Sequence, residues 1–77
     1  MPTYETIPVR GVIRLGQFLK LTGLVEDGAT ATIAIQSGDV LVNGAVEQRR
    51  GAQLAAGDVV EIDLPTGREG AVVGEGI

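Results

Sequence analysis

Arg49 and Arg50 stand side by side just after a run of β-forming residues. Two guanidiniums at a strand end can grip successive phosphate oxygens, each through paired hydrogen bonds. The same pair also suits a solvated strand end whose charge discourages edge pairing, and the residues alone leave both readings open. The rest of the reactive inventory is short. With no cysteine and no histidine, the chain has no thiolate chemistry, no disulfide, no imidazole acid–base catalysis and none of the common zinc-ligand sets. Glu61 and Asp63 lie two apart, so they share one face of a strand, and an exposed strand face accounts for them more simply than paired-carboxylate catalysis. Glycines 57, 67, 70, 74 and 76 match neither the phosphate-loop nor the dinucleotide-binding spacing and read as turns. Carboxylates, arginines, one lysine and a few hydroxyls, with nothing to activate them, predict no enzyme, no metal site and no cofactor.

A net charge of −4 taken as one number argues against a polyanionic partner, but the charge is unevenly spread. Between Arg10 and Gln53 five positive residues face four negative ones, whereas from Leu54 onward Arg68 alone opposes five carboxylates. The acidity therefore belongs to the C-terminal third. Lys20 falls opposite the apolar stripe of its helix, where lysine is the default surface residue.

Seventy-seven residues set one domain as the ceiling, and with only Tyr4 and Phe18 as aromatics its core must be built from Val, Ile, Leu and Ala. Tyr4, Ile7 and Val9 with Pro8 suggest a short edge strand or extended arm. Leu15, Phe18, Leu19 and Thr22 recur at helical spacing, predicting a helix between Leu15 and Leu24 that Gly23 stops. Asp27 can cap a second helix at about 28–37, closed by Gly38. Val40-Leu41-Val42, Asn43-Gly44 and Ala45-Val46 spell a hairpin, because Asn-Gly accepts the positive φ angles of a two-residue turn. Apolar residues on both faces leave open whether Leu41 and Val46 or Val40 and Val42 point inward. Val59 to Ile62 reads as a further strand. The domain spans 1–77 with its core at about 10–64, and 65–77 is a Gly-rich tail or a final short strand. The N-terminal MPTYETIPVR has no signal-peptide character and no apolar run approaches the roughly 20 residues of a membrane helix, which places the chain in the cytoplasm.

Taken in order, the helix, turn and second helix, then Gly38-x-Val40-x-Val42-Asn43-Gly44, the basic stretch and Leu54-x-x-Gly57-Asp58-x-Val60 resemble the S4 RNA-binding domain and its αL motif over roughly Ile13 to Ile62. Residues 13–21 and 47–62 look most like the small stand-alone bacterial S4 proteins. The resemblance implies an α+β fold, a two-helix hairpin packed on a small, mostly antiparallel sheet. It also implies a non-catalytic module that offers a basic surface to structured RNA; the expected RNA is ribosomal or transfer, and the expected state a monomer. Carried over by position, Lys20 corresponds to the basic residue of the first helix, Asn43 and Gly44 to the turn, and Arg49 and Arg50 to the basic pair. Asn43 serves the turn more than the ligand, and Arg14 joins the candidate cations.

Where relatives carry further basic residues, this chain has Thr32, Ala52 and Gln53, so RNA binding should be weak, and its salt dependence flatter by about one unit of slope for each lost phosphate contact. Thr30, Thr32, Gln36 and Gln53 can still donate to phosphate or 2′-hydroxyl groups, though each is individually an ordinary surface position. Without surface aromatics, recognition should rest on RNA shape and backbone. The alternative is a degenerate copy of the fold that serves as a protein-interaction module.

Overall fold

The computed structural model describes residues 4–76. Strand β1 (Thr6–Val9) leads through β2 (Ile13–Arg14) into helix α1 (Leu15–Leu21) and helix α2 (Gly28–Gln36), which are followed by β3 (Val40–Val42), β4 (Ala45–Val46), β5 (Gln53–Leu54), β6 (Val59–Leu64) and β7 (Gly67–Glu75). Five strands form one sheet in the order β1-β7-β6-β3-β4, parallel only at β1–β7, and β2 pairs antiparallel with β5 in a separate ribbon. This is the expected α+β architecture, two helices on a mostly antiparallel sheet.

Leu15, Phe18 and Leu19 of α1 are fully buried, as their spacing predicts. The helix ends at Leu21, short of Leu24, because the Thr22 hydroxyl donates to the Leu19 carbonyl and Gly23 turns left-handed at φ 77°. Asp27 caps α2 by accepting the Thr30 N–H at 2.8 Å, and Ala31 and Ile35 face the core. The second helix lies within one residue of its expected span. Asn43 and Gly44 both adopt positive φ, pairing Val42 with Ala45 and Leu41 with Val46. Val40 is fully buried and Val42 packs on the core, so these two point inward and Leu41 lies on the other face.

On β6 the alternation is strict: Val60 and Ile62 are buried against the helices, and Glu61 and Asp63 point to the opposite face.

The C-terminal expectation needs correction. Residues 67–75 form the longest strand of the sheet, lying between β1 and β6, and Ala71 and Val73 are only 3% exposed. The core therefore extends beyond 10–64 at both ends, with Ile7 and Val9 of β1 packed against it. The glycines that looked like breakers allow close approach. A β-carbon on Gly70 would stand 2.6 Å from the Val60 carbonyl oxygen and 2.9 Å from the Tyr4 ring.

Candidate functional site

Helix α1 begins without a Ser, Thr, Asp or Asn cap, which leaves its first amides in need of acceptors. Backbone from the segment after the hairpin supplies them. The Ala52 carbonyl accepts the Leu15 N–H at 2.9 Å and the Arg50 carbonyl accepts the Gly16 N–H at 3.1 Å. Arg14, the cap residue, donates its own N–H to Gln17 Oε1 at 3.1 Å and its guanidinium Nη1 to the Gly51 carbonyl at 2.7 Å. The β2–β5 ribbon, with Arg14 opposite Gln53, holds this crossing in register.

Residues 14 and 50, thirty-six apart in the chain, are thereby brought to one end of α1. Together with Gly16, Gln17 and Gly51 they line a hollow of about 200 Å³. Gln17 also lines a larger cleft of about 590 Å³ that contains Arg10, Lys20 and the exposed Val12 and Leu21. Lys20 sits one helical turn beyond Gly16. Neither Lys20 nor Arg50 makes an ion pair among the described residues, and Arg14 is held by a carbonyl rather than a carboxylate.

Arg49 differs from its neighbour. Its Nε and Nη2 lie 3.1 and 3.2 Å from the two carboxylate oxygens of Glu47. That hydrogen-bonded guanidinium holds the Glu47 carboxyl below its usual range, and Glu47 in turn raises the pKa of Arg49. Thr32 donates its hydroxyl to the Gly28 carbonyl one turn back, so that donor is spent within the helix. The backbone N–H of Thr30 is taken by Asp27, whose carboxyl is lowered chiefly by that bond and further by nearby Lys20. Asn43 is tied on both sides of its amide: its nitrogen donates to Asp58 Oδ1 at 3.0 Å and its Oδ1 accepts the Val59 N–H at 2.9 Å. Gln53 is exposed beside Arg14.

Some of the carboxylates lie away from this end of α1. Glu61 and Asp63 occupy the sheet face turned away from the helices, where Glu61 accepts the Tyr4 hydroxyl and Asp63 binds Arg68 at 2.6 Å. Others do not: Glu69 stands opposite Ile62 on the helix side of the sheet, Asp27 lies near Lys20 and Glu47 is bound to Arg49. Among the described residues no group of three carboxylates converges as a metal site requires. No helix among them is long and apolar enough to cross a membrane.

Sequence reasoning missed Gly16 and Gln17. A glycine inside a helical pattern was the available signal for the first, and the i, i+3 relation to Lys20 for the second.

A family model described as an S4 domain matches residues 8–71. The chain is 46% identical over 52 residues to the "Probable ribosome maturation protein RlbA" of Bacillus subtilis strain 168, an overlap of 68% of this chain and 73% of that protein. It is 48% identical over 48 residues to the "Putative RNA-binding protein YbcJ" of Escherichia coli K12, covering 62% of this chain and 69% of that one.

Proposed function

The chain belongs to the S4 domain family, and from that premise we propose that it is a non-catalytic module binding structured RNA through phosphate contacts around the start of α1. One observation carries the reading. Arg14, Lys20 and Arg50, three of the six cationic residues, border α1 without an ion-pair partner among the described residues, while Glu61 and Asp63 lie across the sheet. A polyanion approaching that end of the helix meets cations not bound to a carboxylate, although Asp27 lies near Lys20, and such cations are what phosphate binding by a chain of net negative charge requires. The surface there offers no aromatic ring, so the contacts address backbone and shape rather than stacked bases.

The ribosome-maturation name of the Bacillus subtilis relative favours ribosomal RNA as the target over transfer RNA. With so few cations the complex is weak and its affinity falls with salt along a shallow line, about one unit of log–log slope for each phosphate contact. The module acts as a monomer in the cytoplasm, without a cofactor.

Mobility shift with a structured ribosomal RNA fragment at low salt tests this. The parent should shift the RNA and the Arg14→Ala, Lys20→Ala, Arg50→Ala variant should not; equal binding by the two removes the site assignment. A second reading, docking to a protein, draws on Val12 and Leu21, 69% and 57% exposed beside Lys20. Co-purification that survives ribonuclease would favour it.

A further inference from the structure

Gly16 is the second residue of α1, a position where glycine weakens a helix relative to alanine. It is not one of the left-handed glycines, so backbone geometry does not demand it. Space does. A β-carbon there would stand 2.8 Å from Cγ, 3.2 Å from Nε and 3.5 Å from Cδ of Arg50. The arginine stem lies in a slot floored by Gly16, and its Nη2 reaches to 3.7 Å from where a β-carbon on Gly28, the first residue of α2, would be. The backbone from which this side chain springs is fixed too, since the Arg50 carbonyl accepts the Gly16 N–H. Across the hollow, Arg14 is fixed by the Gly51 carbonyl, and Gln17 uses Oε1 on the Arg14 N–H, leaving its NH2 as a donor.

We infer that Gly16 is a positioning residue that seats Arg50, and that the hollow between Arg14, Gln17 and Arg50 takes one phosphodiester group of the RNA backbone. This rests on the RNA-binding reading above. Guanidinium forks match paired phosphate oxygens, and side chains already held in place lose less freedom on binding than free surface arginines. Two guanidiniums with no carboxylate bound to them present such forks from both sides of a space of about 200 Å³.

The test compares the parent with Gly16→Ala, Arg50→Ala and the double variant in RNA titrations by fluorescence anisotropy, with thermal unfolding run alongside. Each single change should weaken binding about tenfold, the scale of one charge-assisted hydrogen-bonding group. The double variant should bind no worse than Arg50→Ala alone, because Gly16 acts only through that side chain. Parent-like binding by Gly16→Ala, or losses that simply add, overturns the proposal. Should Gly16→Ala fail to fold, Arg50→Lys decides: it keeps the charge but not the fork, and parent-like affinity overturns the seat. If the parent itself binds no RNA, the functional reading falls, and inorganic phosphate then judges the hollow. NMR shifts confined to the Gly16, Gln17 and Gly51 amides retain it as a phosphate seat, and their absence dismisses it.

Discussion

Glu47 holds Arg49 along one edge of its guanidinium, Oε2 to Nε at 3.1 Å and Oε1 to Nη2 at 3.2 Å, and the same Oε2 accepts the Arg49 backbone N–H. The adjacent arginines are therefore not equivalent. Arg50 brings to α1 a charge with no carboxylate bound to it, whereas Arg49 is paired with a carboxylate two residues away. Arg49→Ala should change RNA affinity by less than about twofold, well below the loss from Arg50→Ala. Glu47→Gln should do the reverse, releasing a cation and steepening the salt slope by about one unit. Anisotropy titrations across a salt series measure both, and equal losses for the two arginine variants would contradict the distinction.

Asn43 tests the separation of scaffold from ligand. At φ 52° it carries the strain of a left-handed residue, and its side chain ties the hairpin turn to Asp58 and Val59. Asn43→Ala loses both hydrogen bonds and keeps the strain, a cost of about 2 kcal/mol. Asn43→Gly relieves the strain and should cost about 1 kcal/mol. Urea denaturation reads these values. RNA affinity of the folded Asn43→Gly protein should match the parent, and a tenfold loss would instead make Asn43 a ligand.

The parts of the fold legible in the sequence were those governed by local chemistry. Asn43-Gly44 forced the hairpin, Asp27 marked the start of α2, and the helical spacing of Leu15, Phe18 and Leu19 identified the buried face of α1. The β2–β5 ribbon escaped notice because two residues on each side carry no periodicity, and its partners lie about forty positions apart. Strand β7 was obscured by glycines, whose local meaning as breakers was overruled by contacts to Tyr4 and Val60 from distant segments. At the candidate site, residue type pointed to Arg14, Lys20 and Arg50, on which the proposed reading rests. Composition could not show that Glu47 pairs with Arg49, or that Thr32 has turned its hydroxyl back on α2.

Gly70 provides a check on the reinterpreted C-terminal segment. A methyl group there meets the Val60 carbonyl oxygen at 2.6 Å and the Tyr4 ring at 2.9 and 3.0 Å. Gly70→Ala should destabilise the domain by about 1–3 kcal/mol, the usual cost of overpacking. Adding Tyr4→Ala should not restore stability, because the backbone carbonyl remains. A frayed tail would tolerate the alanine without change in the denaturation midpoint.

The pH dependence follows from which groups titrate and in which direction. Asp27 is depressed chiefly by the Thr30 backbone N–H, Glu47 by its hydrogen bond from Arg49 and Asp63 by that from Arg68. A carboxyl whose folded pKa lies below its unfolded value contributes stability that is fully present above the unfolded pKa and is lost as pH falls through the folded one. The Tyr4 hydroxyl, donating to Glu61, is raised, so its contribution is intact below its unfolded pKa and disappears as alkaline pH passes the folded one. No histidine titrates in between. Urea midpoints should therefore form a plateau across neutral pH, with an acid limb below about pH 4 and an alkaline limb above about pH 10. Salt should weaken the parts of the acid limb that come from the exposed Glu47–Arg49 and Asp63–Arg68 pairs, because mobile ions screen them. The Asp27 part depends on a directional hydrogen bond and should persist, so Asp27→Ala should flatten the limb that remains in high salt. A midpoint that instead changes steeply between pH 5 and pH 8 would mean that a group outside these pairs controls folding.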